Sequence, residues 1–560
     1  MYNDQLSDVD KFLKESCEQL KIAVPTTIGL LLYKIPWIIS LHFAGTLGAK
    51  ELAAAALATT LCNVTGMSLS VGLSTAITTL TSQARGDLLL RGLKQEQDNR
   101  DSSKDHAATM AKVGQQTEST PLLPSNEHLM LPHNDAVQHH SVESSMSTPL
   151  QPLVFLYRGI AIQLAFVIPI GIWWIRGIEP FLLQLGQSEE LSSMTANYLR
   201  VLTLGLWCYS INWTLTSWLQ AIAIADVPAW AALIGFLSHV PFNILFVNIL
   251  GYGFLGVAAA TVLFQLLQPF IICIYLFGTC QGQERVLKAI GAKAIGRTRL
   301  SFWKEFHCAI TSISGIKQYL SLALPGIVII SEWWASEVAV FLSGRLSPDP
   351  DYALGAMSIY QTINTFFFMF PVGFSAAASA RVGFFLGMNN APAARLSSKV
   401  SISFAGIMST VTGSILMFTP HKLFPYIFTA DEHVVDMAAS TMPFLAIYVF
   451  ADGMQVALNG VVKGCGRQSI IMPIVVFAYW GVGIPLAYYY SFERHSGTTL
   501  CESGEYSCGV RGLVAAMTTA TWIHFLLVLW VVIWAINWEK EVILAQHRIK
   551  QFTEAQGTPK

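Results

Sequence analysis

VGLSTAITTLTSQARG, residues 71 to 86, returns about 300 residues later as VGFSAAASARVGFFLG, residues 372 to 387. Gly72 aligns with Gly373 and Gly86 with Gly387, and both copies lie inside apolar runs. Pro25 opens the first such run and Pro325 the seventh, while Pro180 in IEPFLLQLGQSEE resembles Pro425 in LFPYIFTADEH at a shorter offset. Recurrence on this scale in an apolar chain marks two structural halves. The composition agrees: 560 residues, 53% hydrophobic and only 12% charged, which excludes an ordinary soluble domain and a disordered one.

Runs of about 20 apolar residues are long enough to cross the hydrocarbon core of a bilayer. Twelve occur, near 24–44, 54–82, 153–175, 199–221, 229–249 and 254–277, and again near 319–343, 355–380, 401–419, 441–461, 469–490 and 512–536. An even number per half makes the repeat a parallel one. The expected fold is therefore an all-α integral membrane protein, with twelve transmembrane helices in two pseudo-symmetric six-helix lobes.

The fall in repeat offset places extra residues in the first half. Residues 91–151 are polar, rich in Ser, His and Gln, and lack helical periodicity, so a disordered cytoplasmic insertion is expected there. Within it, ESTPLL (Glu118 to Leu123) has the spacing of an acidic dileucine sorting signal. The expected organisation is a cytoplasmic N-terminus (1–22), an N-lobe (23–278), a cytoplasmic linker (279–317), a C-lobe (318–537) and a cytoplasmic tail (538–560). Lys and Arg concentrate in the segments that this topology puts inside, including Arg285, Lys288, Lys293, Arg297, Arg299 and Lys304. Both termini are thus expected in the cytoplasm. The polar first 21 residues read as no cleavable signal peptide.

The formal net charge of −1 offers no field for nucleic acid. The nine cysteines show no metal-ligand spacing, so neither a metal nor a cofactor is expected. Cys501 and Cys508 share the last outer loop, where a disulfide is chemically allowed and two free thiols are the alternative.

Polar groups inside the spans carry the functional reading. Helix four has Tyr209, Asn212, Thr216 and Gln220 on one face, helix two has Asn63, Ser70, Ser74 and Thr78, and helix ten has Asp452, Gln455 and Asn459. Such stripes either bond neighbouring helices or line a wet cavity. Helix seven, IVIISEWWASEVAVFLSG, holds Glu332 and Glu337, and a charge there is costly enough to imply function. Five residues apart, the two acids point about 140° from one another, and only Glu332 is expected to face a cavity shared with Asp452. An acid so placed can hold a proton at rest and release it when a cation approaches. Trp333, Trp334 and Tyr360 offer ring faces to an organic cation. Lys34, in the middle of helix one, would oppose a cation or pair with an acid.

These residues carry a resemblance. GTLGAKELAAAALATTLCNVTGMSLSVGLSTAITTLTSQARG, LLQLGQSEE, ALPGIVIISEWWASEVAVFLSG, PVGFSAAASARVGFFLG and FADGMQVALNGVVKGCGRQ resemble, in order, the signature blocks of the multidrug and toxic compound extrusion (MATE) family. The EWW triplet is similar to its eukaryotic branch. The resemblance implies a two-lobe antiporter exporting organic cations or xenobiotics, with Glu332 and Asp452 as the coupling acids, Glu337 as a further functional acid, and Gln220 at a recurrent glutamine position. Ser40 stands about where a prokaryotic branch has an aspartate.

The expectation is a proton-coupled secondary antiporter working by alternating access on small organic molecules, a monomer among membrane lipids. Its coupling acids are Glu332, Asp452 and Glu337. Its substrate cavity is formed by Gln220, Asn212, Tyr209, Trp333, Trp334, Tyr360, Gln455, Asn63 and Lys34. Sodium coupling, an organic-anion or flavonoid exporter and a lipid-linked precursor flippase are the alternatives. The flippase would favour a cationic stripe, and Lys34 is the one lysine expected in the cavity. The plasma membrane and a vacuolar or lysosomal membrane are both open. No GxSxG, P-loop or HExxH constellation occurs, so an enzyme is not expected.

Overall fold

The computed structural model describes residues 7–116, 149–300, 302–502 and 504–557. The ESTPLL motif lies outside these residues. Among the described residues, twelve long helical segments follow one another. They are α1 (Asp8–Leu47), α2 (Ala49–Cys62, a π-helical turn at Asn63–Met67, then Ser68–Gln116), α3 (Gln151–Arg176), α4 (Glu189–Ala221), α5 (Asp226–Ile249) and α6 (Gly253–Gly278). The second set is α7 (Ile313–Ser343), α8 (Pro350–Gly387), α9 (Ala391–Phe418), α10 (Met442–Cys465), α11 (Gln468–Arg494) and α12 (Gly509–Ala535). Eleven are long and apolar enough to cross a membrane. The exception is α4, in which Asn197, Arg200, Tyr209, Asn212 and Gln220 dilute the hydropathy.

The pairing repeats between the halves. α3 packs on α4, α2 on α4, α4 on α6 and α1 on α5; correspondingly α9 packs on α10, α8 on α10, α10 on α12 and α7 on α11. The lobes meet reciprocally, α1 against α8 and α2 against α7. Helices without a hydrophobic drive between them approach closely where small residues allow it. The repeated glycines supply those places. A Cβ on Gly72 would lie 2.6 Å from Ile327 Cα of α7, and one on Gly373 would lie 2.7 Å from Ala23 O of α1. Further along, Gly86 packs on the Phe384 carbonyl and Gly387 on the Gln83 carbonyl, so α2 and α8 touch backbone to backbone.

Among the described residues, the hydrogen bonds between the two lobes lie in the half nearest the termini, or at mid-height. Arg381 holds Glu15 through Nε at 3.0 Å and Nη2 at 2.5 Å, with Glu15 fully buried. Gln19 donates to Ser397 O at 2.8 Å, Thr79 to Lys463 O at 2.6 Å and Gln83 to Gly464 O at 2.9 Å. At mid-height Trp334 Nε1 donates to Ser68 Oγ at 3.1 Å. A tail helix, α13 (Trp538–Gly557), closes the same face. Its Arg548 donates to Gln83 Oε1 of one lobe at 2.9 Å and to Cys465 O of the other at 2.7 Å.

One expectation changes. Residues 91–116 continue α2 as helix, where an unstructured insertion is expected from composition. An Asp87–Arg91 pair at 2.7 Å, one helical turn apart, stands at the start of that extension. The linker also has order: Cys280–Ala289 and Trp303–Thr311 are helices, and buried Arg158 of α3 donates to Ala309 O at 3.1 Å to hold the second one down. On the opposite face, Cys501 and Cys508 form a disulfide.

Candidate functional site

A cavity of about 230 Å³ lies between the lobes, walled by α1, α2 and α4 on one side and by α7, α8 and α10 on the other. The π-helical turn in α2 delivers Asn63 and Met67 to this wall. On the N-lobe side Tyr209 stacks on Trp213, with ring centroids 5.8 Å apart, and Tyr33 tilts against Tyr209 at 5.9 Å. Ser74 fixes Trp213 by accepting from its Nε1 at 2.8 Å. On the C-lobe side Trp333 meets Phe368 edge to face at 5.7 Å.

The charges are the distinctive part. Glu332 is 8% exposed and Asp452 4%, and both line the cavity within electrostatic reach of one another. α10 presents Asp452, Val456, Asn459 and Lys463 to the cavity, at steps of four, three and four residues that keep them on one face. Gln455 stands behind that row and ties it together. It donates to Asp452 Oδ1 at 3.0 Å and accepts from Asn459 Nδ2 at 2.7 Å. Asn459 Oδ1 and Asn364 Oδ1 have no hydrogen-bond donor among the described residues.

Glu337 also lines the cavity, which corrects the expectation that a single acid of α7 would face it. The 140° between the two acids stands, but α7 is itself a wall between two neighbours. Glu332 lies on the side of α10 and α12, and Glu337 lies within electrostatic range of Lys34 on α1.

Of the other expected cavity residues, Asn63, Tyr209, Trp333 and Lys34 line it, while Gln220, Asn212, Trp334, Tyr360 and Gln455 do not. Four of these side chains are engaged elsewhere. Asn212 donates to Gln268 Oε1 of α6 at 3.2 Å, Trp334 bonds Ser68, and Tyr360 is buried against Tyr448 at 6.4 Å. Gln220 is buried near the end of α4. A polar stripe shows which helix face is not lipid-facing, but not whether that face meets a cavity or another helix.

Two groups went unread in the sequence. His524 of α12 is fully buried, with Nδ1 3.4 Å from Glu332 Oε2 and its ring edge-on to Tyr479. Lys463, two residues from the end of α10, turns into the cavity, so two lysines rather than one face it. Neither has a local sequence signal. One is a lone histidine in an apolar run, and the other resembles a lysine anchoring a helix end.

Two like-oriented lobes of membrane-length helices, with buried charges facing a cavity between them, define a multi-pass membrane transporter. The MatE family model matches residues 25–95, 153–245 and 317–489, more than half of the chain, and the chain belongs to that family. It is a transporter and not an enzyme. It is 26% identical to Protein DETOXIFICATION 36 of Arabidopsis thaliana over 516 residues, covering 91% of this chain and 83% of that one. It is 27% identical to Multidrug and toxin extrusion protein 1 of Danio rerio over 495 residues, covering 88% of this chain and 70% of that one. The crystal structure of the eukaryotic MATE transporter AtDTX14 superimposes with a TM-score of 0.74 at 23% identity, over 96% of this chain and all of the other.

Proposed function

We propose that this transporter is a secondary active antiporter that exports organic, xenobiotic-like molecules with a cationic centre in exchange for protons. The observation that carries the reading is the pairing of Glu332 with Asp452, two buried carboxylates on one cavity wall within reach of each other. A proton and a cationic group compete for the same negative charge, because either one neutralises it. That mutual exclusion is what an exchanger requires. The Tyr33, Tyr209, Trp213 and Trp333 rings supply faces for the organic part of the substrate. The relatives whose names refer to detoxification and multidrug extrusion support the direction and the breadth of substrate.

Alternating access moves one lobe against the other around a central site. The contacts between lobes fit that motion: close glycine crossings of α1 with α8 and of α2 with α7 and α8, and a hydrogen-bonded seam on the face of the termini. We place that face in the cytoplasm and the disulfide loop outside or in a lumen, with the chain acting as a monomer among lipids.

Both parts have a test. In a weakly buffered, sodium-free detergent solution, adding a fluorescent organic cation to the purified protein is expected to release protons in proportion to the cation bound. No release on binding would contradict competition at the acids. For orientation, a membrane-impermeant maleimide is expected to label Cys501 and Cys508 from outside the cell, or from the lumen of an isolated organelle, only after reduction. Labelling of these two residues from the cytoplasm alone would reverse the topology.

A further inference from the structure

We propose that the transported molecule carries an anionic group as well as its cationic centre, and that Lys34 is the seat of the anion. This rests on the export reading only in taking the inter-lobe cavity as the substrate site. The cavity wall holds five charged side chains: Glu332, Glu337 and Asp452, with Lys34 and Lys463. Among the described residues neither ammonium group has an ion pair within 4.0 Å.

The two lysines differ in their surroundings. Lys463 shares the face of α10 with Asp452 and lies within electrostatic range of Glu332, so the acid it faces belongs to its own lobe. Lys34 enters from α1 of the other lobe, and the acid within its range is Glu337, across the cavity. Polar groups placed in a membrane-embedded cavity are costly unless something pairs with them. A molecule bearing only positive charge would bring a like charge toward Lys34 as it approached Glu332 and Asp452. A zwitterion meets complementary charge on both walls: its cationic end at the C-lobe acids, its anionic end at Lys34, and its aromatic body against Tyr209 and Trp333. Charge complementarity of this kind sets selectivity, because like-charge juxtaposition is strongly rejected.

The test uses two dyes that differ only at one carboxyl, rhodamine 110 (free acid) and rhodamine 123 (its methyl ester). Binding to the full-length purified protein is followed by fluorescence polarisation at neutral pH. The free acid is expected to bind at least about tenfold more tightly than the ester, the contribution of one charge-assisted contact. Lys34→Gln should erase the preference, whereas Lys34→Arg and Lys463→Gln should keep it, with gel filtration confirming that each variant is intact. Equal or tighter binding of the ester overturns the assignment. So does a preference that survives Lys34→Gln, or failure of the free acid to bind. The outcome is separable from the antiport reading. A Lys34-dependent preference without gradient-driven accumulation would sink proton exchange and leave the zwitterion site standing. Accumulation without the preference would do the reverse.

Discussion

Glu332→Gln is expected to reduce gradient-driven uptake to the level of protein-free liposomes, while the protein still inserts and purifies normally. The substitution keeps the volume and a hydrogen-bonding head but deletes one of the two paired charges that a proton and a cation can alternately neutralise. Glu332 is buried and faces the cavity, and Asp452 alone would have to carry the exchange. Removing a buried charge usually strands its partner. Here the partner is His524, with Nδ1 3.4 Å away, and the glutamine amide can still hydrogen-bond to that ring, so folding is spared. The check is uptake in proteoliposomes at equal protein density, compared between wild type and variant. Uptake in the variant at the wild-type rate would remove Glu332 from the coupling centre.

The second large effect is mechanical. Gly387→Leu is expected to prevent the lobes from closing on the face of the termini. A Cβ at Gly387 already collides with the Gln83 carbonyl oxygen and lies 2.8 Å from the Gln83 carbonyl carbon; these are backbone atoms that cannot swing aside. Gly86 meets the Phe384 carbonyl in the same way. Overpacking of about 3 kcal/mol at such a contact would lower the closed population roughly a hundredfold. Transport should therefore be lost, since every cycle passes through the closed state. A cysteine at Ser375, which lines the cavity, should then be labelled by a maleimide supplied on the side of the termini. If the cysteine stays protected from that side and transport continues, the glycine crossing is not the seam that closes.

How much of this was legible in the sequence depends on whether the signal was local or built by the fold. The repeat VGLSTAITTLTSQARG/VGFSAAASARVGFFLG was legible because glycines at inter-helix contacts are steric requirements, and both lobes place theirs at equivalent crossings. Glu332 and Asp452 stood out because a carboxylate in an apolar run is conspicuous at any register. His524 was not legible, since its meaning depends on a partner almost 200 positions earlier and on α12 packing against α7. Lys463 was hidden by its position near a helix end, where a lysine ordinarily reaches toward the interface. Asn212, Trp334 and Tyr360 have the chemistry of cavity residues, but contacts with other side chains claim them, while Gln455 bonds along its own helix and Gln220 is buried away from the cavity. Periodicity gives the face of a helix, while only the crossing geometry gives what that face meets. The helical continuation to Gln116 was missed for a different reason. Its composition reads as solvated, yet α2 is already nucleated by the membrane span, and extending a helix is far easier than starting one.

The most direct measurement is accumulation of a fluorescent organic substrate in proteoliposomes with an imposed inside-acidic pH gradient and no sodium. Accumulation that collapses when the gradient is dissipated, and that is absent from Glu332→Gln vesicles, is the expected result. Accumulation that ignores the proton gradient and follows an imposed sodium gradient instead would contradict proton exchange at Glu332 and Asp452.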